Sequence, residues 1–353
     1  MLNSLLVRNY RNLKELQINS INQINLITGK NNTGKSSLLE AVYIYYTKGK
    51  AESLWQILNG RGECDNEENF IPALPSLFTN RLANEPIVIG EVDSIKNFEL
   101  KIVHYLEEVE AKGTGEIIHR KKNIPDSQLN NYKNHKTGFE IRIDDAIMFI
   151  DDQGGKITGN PAQFSQYFNI AFVKAGSFTT NDKLFDSIAL TVKENYIIDA
   201  LKIIEPKTER IAFVAEDNSP ERKAVVKLSD QPKALPLQSM GDGMNRILSI
   251  ILALVNTENG LLLIDEFENG LHYSVQKQLW KIIFKLAEKL NIQVFATTHS
   301  NDCISSFETI LNNSENTVKG KLIRLDNING MIKPIEYTPQ ELEIAFENDI
   351  EIR

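Results

Sequence analysis

Between Gly29 and Ser36 the chain reads Gly-Lys-Asn-Asn-Thr-Gly-Lys-Ser, a spacing of small and basic residues that leaves few folds open. The segment fits GxxxxGK[ST]. An apolar run, Ile24 to Thr28, precedes it, and a helix-like run, Ser37 to Tyr46, follows. Strand, loop and helix in that order is the context a phosphate-binding loop needs. In such a turn successive backbone N–H groups point at phosphate oxygens, and the helix N-terminus adds partial positive charge. Gly29, Asn31, Asn32, Thr33 and Gly34 would form the cradle, with Ser37 beside it on the first helical turn. Lys35 would reach the β- and γ-phosphates, and the Ser36 hydroxyl would ligate Mg²⁺. The segment implies a bound nucleoside triphosphate.

A second element answers it far downstream. Leu261 to Ile264 are four apolar residues followed by Asp265 and Glu266. Such a run reads as a strand buried on both faces, as in a parallel sheet. Acids at its end sit in the crevice at the carboxyl edge, where such sheets bind ligands. Asp265 would hold Mg²⁺, directly or through water, and Glu266 would polarise an attacking water. Two carboxylates at a strand end can also be plain surface solvation. Their pairing with a phosphate loop points to chemistry instead.

Composition narrows the class. The 353 residues suffice for one large or two modest domains, and 42% hydrophobic with 24% charged residues is ordinary for a globular chain. The longest apolar runs, such as Ile247 to Val255, are too short to span a bilayer. Charges occupy the first residues where a signal peptide would be apolar. Cys64 and Cys303 give neither a disulfide framework nor zinc spacing. The expectation is a cytoplasmic protein with no membrane partner. A net charge of −8 argues against indiscriminate coating of nucleic acid. It leaves room for a local basic groove, for which His119 to Lys122 with Lys133, His135 and Lys136 is the densest candidate. Most charge runs are surface solvation, and a solvated hairpin tip explains this one as well.

The organisation is that of an α/β chain read as one domain. Residues 1–47 hold strands Leu5 to Val7, Leu13 to Ile18 and Ile24 to Thr28, then the phosphate loop and its helix. Residues 48–85 read as a small helical and loop insertion. From 86 to 175 the period falls towards two, which suggests an antiparallel β-subdomain. Asp144, Asp145, Asp151 and Asp152 flank the run Ala146 to Ile150; they form a candidate metal cluster, although aspartates also bound strands for turn reasons. Residues 183–235 hold one helix, 183–205, with Leu184, Ile188, Leu190, Ile197, Leu201 and Ile204 on its apolar side, then two strands. From 236 to 353 helix and strand alternate, the mark of a doubly wound layer with mixed or parallel sheet.

Three further motifs lie in this last part. Gln238-Ser-Met-Gly-Asp-Gly-Met-Asn-Arg246 opens an apolar helix, a second anion-binding surface by the same helix-terminus argument. Phe267 to Tyr273 follows the acidic pair, and Phe295-Ala-Thr-Thr-His-Ser300 ends the next strand in a histidine. Each alone can be a helix cap, a turn or a strand end. Together, and in this order after a phosphate loop, they resemble the ABC-type ATPases of the RecF/SMC/OLD group. More narrowly they are similar to the short bacterial AAA family ATPases with an AAA15/AAA21-type core and no Toprim domain. The opening Leu6-Val-Arg-Asn-Tyr-Arg-Asn-Leu13 matches that group's start, and the resemblance runs over essentially the whole chain.

The resemblance implies ATP as substrate and Mg²⁺ as its partner. Gly29 to Ser36 is then the Walker A loop and Leu261 to Glu266 the Walker B strand. Ser239 and Gly241 belong to the signature, Asn269 to the D-loop, and His299 is the switch histidine. Lys35, Glu266 and His299 would carry catalysis, and Arg11 is the favoured γ-phosphate arginine by position. The signature reads SMGDG rather than LSGGQ, and His272 stands where many relatives have aspartate. No Q-loop glutamine is evident; Gln163 and Gln166 are the nearest candidates. The sequence shows no long coiled coil between the lobes, and the stretch after His299 leads one to expect no further catalytic domain within it. The function implied is a homodimeric switch closing around ATP and controlling a separate effector, Toprim-like or other, in DNA processing or anti-phage defence. The alternative is a self-contained RecF-like DNA-repair ATPase with nucleic acid as its partner. An inactive binding scaffold is opposed by intact Lys35, Ser36, Asp265 and Glu266.

Overall fold

The computed structural model describes the chain except for residues 68–69, 83, 95–96, 112–116, 133, 152–153, 159–168, 176–180, 216–221, 313–317 and 349. The N-terminal half runs β1 (Leu5–Tyr10), β2 (Leu13–Ile18), β3 (Ile24–Thr28), α1 (Lys35–Thr47) and α2 (Ala51–Gly60). It continues through β4 (Ile87–Gly90), β5 (Phe98–Ala111), β6 (Ile117–Ile124), β7 (Lys136–Ile143), β8 (Ala146–Asp151), β9 (Gly154–Thr158) and β10 (Ile170–Val173). Then come α3 (Asn181–Asp186), α4 (Val192–Leu201), β11 (Thr208–Ala215), β12 (Arg222–Leu228), β13 (Leu235–Pro236) and α5 (Asp242–Asn256). The chain closes with β14 (Leu261–Ile264), α6 (Tyr273–Lys289), β15 (Gln293–Thr297), α7 (Asn301–Leu311), β16 (Gly320–Ile328), β17 (Met331–Tyr337) and α8 (Pro339–Glu347).

Two large sheets organise these elements. The inner sheet has the order β10-β14-β15-β3-β16-β17, parallel except for the β16–β17 hairpin. Period-two alternation divides its side chains between two cores. Leu262, Ile264, Val294, Ala296, Ile24 and Leu26 face α5, α6 and α7, whereas Leu261, Leu263, Phe295, Ile27 and Ile323 face the other side. Both faces are covered, so β3, β14 and β15 are buried at every position. That is why they read as unbroken apolar runs. The outer sheet, order β2-β1-β4-β5-β7-β8-β9 with β6 on β5, is antiparallel and encloses α1 between itself and the inner sheet.

The boundaries differ from the sequence reading in two places. β1 and β2, for which the sequence gives no partner, join the outer antiparallel sheet; β1 pairs β4, with Val7 opposite Ile89. β10, expected within the antiparallel subdomain, leaves it and pairs parallel with the acidic-pair strand, Val173 opposite Ile264. The single helix expected over 183–205 is two helices. Leu190 adopts a left-handed conformation (φ 63) and is 98% exposed, and Thr191 caps the restart by accepting the Lys193 N–H at 3.2 Å. Leu190 is therefore off the apolar side on which the periodicity puts it.

The aspartate cluster also resolves in part. Asp144 and Asp145 form the two-residue turn between β7 and β8, with Asp144 left-handed at φ 53, which is turn chemistry. The Asp151 side chain and Asp152 lie outside the described residues. Among the described residues no group of three or more His, Cys, Asp or Glu could hold a metal, and no helix is long and apolar enough to cross a membrane. In the basic stretch, Lys136 is ion-paired with Glu107 at 2.7 Å and His135 packs edge-on against His104. Lys133 and the side chains of residues 119–121 lie outside the described residues.

Candidate active site

Three neighbouring strands, β14, β15 and β3, end on the same edge of the inner sheet, and each delivers one part of the site. β3 runs into the phosphate loop. Its bends require glycine: Gly29 has φ 143 and a Cβ there would meet Leu325 O at 2.5 Å. Gly34 has φ 87 and a Cβ would meet Leu13 Cδ2 at 2.6 Å. Gly34 is the residue before α1, so the loop's N–H groups and the helix N-terminus converge.

A cleft of about 740 Å³ opens there, lined by Asn31, Asn32, Thr33, Gly34, Lys35, Ser36 and Ser37 of the loop and by Asp265, Glu266 and His299. Gly29 lies beneath the lining, and its carbonyl accepts a bond from Lys35 Nζ at 2.7 Å; Lys30 O accepts a second at 3.0 Å. Burial lowers the Lys35 pKa, against the opposing field of Asp265, Glu268 and Glu266. A polyphosphate in the cleft would relieve that desolvation by supplying anionic partners.

Asp265 is held by hydroxyls. Thr297 Oγ1 donates to its Oδ1 at 2.6 Å and Ser36 Oγ at 3.1 Å. The Thr297 hydroxyl also accepts the Glu266 N–H at 2.9 Å, and Glu266 is in the left-handed region at φ 49. One carboxylate and one serine hydroxyl side by side fit Mg²⁺, a hard ion that takes few protein ligands and completes its shell with water and substrate phosphate.

Arg246 on α5 fixes the same turn from behind. It is 2% exposed, and its guanidinium donates to the carbonyls of Lys174 (3.0 Å), Asp265 (2.6 Å) and Glu266 (2.8 Å). Phe267, between Glu266 and Glu268, is fully buried and stacks on Trp280 with ring centroids 4.1 Å apart. His299 donates its backbone N–H to Glu268 Oε1 at 3.0 Å, and its Nδ1 lies 3.2 Å from the same oxygen.

Arg11 lines the cleft, yet its guanidinium is committed elsewhere. Nε donates to Glu40 at 2.9 Å and the two terminal nitrogens to Glu63 at 3.1 and 3.0 Å, leaving the side chain 8% exposed. A γ-phosphate role for Arg11 would require it to exchange a bidentate pair and a second ion pair for phosphate contacts. Arg61 lines the cleft as well: it is 36% exposed, its Nε donates to Glu40 Oε1 at 2.7 Å, and its Nη2 lies 3.4 Å from Ser37 Oγ.

Ser239, Gly241 and Asn269 are exposed and do not line the cleft. Ser239 Oγ donates to Pro236 O at 2.7 Å, and Gly241, at φ 96, turns the chain into α5. His272 caps α6, with Nδ1 facing Ser274. Gln163 and Gln166 lie outside the described residues. The position after β10, next to the acidic-pair strand, carries Lys174, whose Nζ donates to Gln56 O at 2.8 Å. Arg61, Arg246, Glu268 and Thr297 were not singled out by sequence reasoning; for Arg246, Glu268 and Thr297 the only signal was membership of a quoted motif.

The family profile described as "AAA domain, putative AbiEii toxin, Type IV TA system" matches residues 24–304. Over 99% of both chains the sequence is 25% identical to the "ATP/GTP phosphatase" of Helicobacter pylori. A stretch of 43 residues, 12% of each chain, is 51% identical to the DNA replication and repair protein RecF of Oenococcus oeni. Among solved structures, the Smc head bound to the C-winged helix domain of ScpA superposes with a TM-score of 0.54 at 11% identity, covering 98% of this chain and 99% of that one. The Smc head with an extended coiled coil, bound to the C-terminal domain of ScpA derived from Pyrococcus furiosus, gives 0.53 at 10% identity, covering 99% of each. At such identities the likeness is one of fold, that of an ABC-type P-loop head.

Proposed function

The chain belongs to this AAA-domain family and is an ATP hydrolase on an ABC-type, SMC-like head, and from that premise we propose that two copies pair around ATP and so control a separate effector. The observation that carries the pairing is the separation of Ser239 and Gly241 from the cleft: both are exposed, and neither lines it. ATP on Lys35 of one copy is clasped by Ser239 and the α5 N-terminus of the other, with Asn269 at the seam. Ser36 Oγ and Asp265 would hold Mg²⁺, which when bound would supply charge to stabilise the leaving phosphates. Glu266 polarises the attacking water and His299 meets the γ-phosphate. Catalysis of this kind is mostly positioning and charge stabilisation.

The output is DNA processing or anti-phage defence through a second polypeptide, Toprim-like or other. The toxin–antitoxin wording of the family description supports that direction. Mixing inactive Lys35→Ala with inactive Ser239→Arg protein tests the pairing. Heterodimers then contain one intact composite site and recover part of the ATPase activity. No recovery at any ratio, with heterodimers shown to form, would establish a site complete within one chain. A second reading, a self-contained RecF-like ATPase acting on DNA, is favoured by the local RecF match. ATP-stimulated, salt-dependent DNA binding without a partner would select it.

A further inference from the structure

Glu268 follows Glu266 by two residues but does not line the cleft. Its side chain is 12% exposed, and both carboxylate oxygens are engaged. Oε1 accepts the His299 backbone N–H at 3.0 Å and faces ring Nδ1 at 3.2 Å; Oε2 accepts the Thr298 hydroxyl at 2.8 Å. Oε1 lies within ion-pair reach of Nδ1, and a lone pair on Nδ1 would face an oxygen that already accepts a hydrogen bond, so the contact favours a proton on Nδ1. The ring nitrogen left for the cleft, which His299 lines, is then Nε2.

We propose that Glu268 is the positioning residue that fixes the tautomer and orientation of His299, so that Nε2 is the nitrogen offered to substrate. This rests on the reading of His299 as a residue of the hydrolytic site. The turn is built to hold Glu268 still. Phe267 beside it is anchored in the core on Trp280, and its N–H donates to Thr297 O at 2.9 Å. The Glu268 carbonyl accepts the Leu271 N–H at 2.9 Å. A buried carboxylate behind a histidine sets which nitrogen carries the proton, and thereby what the exposed nitrogen can do.

The competing account is that Glu268 only ties the end of β15 to α7. Thr298 Oγ1 accepts the Ser300 N–H at 3.1 Å, and Ser300 caps α7 through Cys303 N–H at 3.4 Å. Two measurements separate the accounts. Long-range proton–nitrogen NMR of the full chain labelled at histidine nitrogens reads the His299 tautomer directly. The neutral wild-type ring should carry its proton on Nδ1, and Glu268→Ala should move it largely to Nε2. A wild-type ring protonated on Nε2 would overturn the proposal whatever the activity.

The second measurement is a cycle on ATP turnover. Glu268→Ala should lower kcat about tenfold or more with KM little changed, in the range seen for groups that orient a functional histidine. The double variant with His299→Ala should be no slower than His299→Ala alone. Glu268→Gln, which keeps an oxygen for Nδ1–H, should recover part of the loss. Losses that multiply in the double variant would assign Glu268 the merely structural role. Unchanged turnover in His299→Ala would instead overturn the hydrolytic reading of His299, while the NMR still decides the ring assignment.

Discussion

Arg246→Met should show how strongly the acidic pair depends on support from outside the cleft. The substitution keeps a long unbranched side chain in place but removes donors to three carbonyls, those of Lys174, Asp265 and Glu266. A buried acceptor left without its donor loses about 1–3 kcal/mol. Three would exceed that severalfold if none found another donor, but Lys174, Asp265 and Glu266 are each only half-buried, so water entering in place of the guanidinium would offset part of the loss. Burial also lowers the Arg246 pKa, so part of the arginine's own desolvation is recovered on its removal. The net loss should be about 3–5 kcal/mol, the range for breaking a buried charged network. Urea unfolding followed by far-UV circular dichroism would show it as a lower midpoint at unchanged slope. Turnover should fall about 10²-fold even in the absence of urea, because Glu266 loses the tie on its left-handed turn and small misplacements are expensive in rate. Arg246→Lys, able to satisfy one or two carbonyls, should fall between. A loss below about 1 kcal/mol with normal turnover would refute the idea that Arg246 holds this turn.

Three further outcomes are expected. Lys35→Ala should abolish ATP binding measured by calorimetry, whereas Glu266→Gln should bind normally and turn over about 10²-fold more slowly; normal turnover in the latter removes Glu266 from the mechanism. Gly29→Ala should weaken nucleotide binding about tenfold or more, since its Cβ would press on Leu325 O at a position with φ 143; unimpaired affinity would mean that the loop moves freely. Burial alone would raise the Glu63 carboxyl, but the Arg11 bond and charge, with Ser76 Oγ, hold it below its ordinary value of 4.5. Its stabilising contribution is therefore complete above that value and lost as pH falls through the lower folded-state pKa, and Glu63→Gln should flatten that part of the acid-unfolding curve.

The class of the fold was legible because its central strands carry a one-dimensional signal. β3, β14 and β15 are short apolar runs ending in a glycine-rich loop, an acidic pair and a histidine, and no pairing information is needed to order them. β10 was not legible as a core strand. Its four residues, Ile170–Val173, look the same whether the next partner is a hairpin neighbour or a parallel strand some ninety residues on, and only long-range packing chooses. The break at Leu190 was hidden because a leucine in phase with the helix carries no mark of a left-handed backbone. In the site, Lys35, Asp265 and Glu266 follow from motif chemistry. Arg246, Glu268 and Thr297 act through carbonyls, a ring nitrogen and a hydroxyl brought near by the fold, contacts that no spacing rule encodes. Arg11 shows the same limit from the other side: position along the chain suggests a phosphate ligand, and nothing in that position reveals the two glutamates, from α1 and the loop after α2, that pair with its guanidinium.

The stack of Phe267 on Trp280 gives the protein a built-in optical reporter. The chain has two tryptophans, Trp55 on α2 and Trp280 on α6. Trp280 touches the residue lying between Glu266 and Glu268, so its emission is coupled to the geometry of the turn that carries them. With Trp55 replaced by phenylalanine, stopped-flow fluorescence would follow that turn and the core it rests on, where Trp280 also meets Phe307, on the timescale of a single turnover and without an added label.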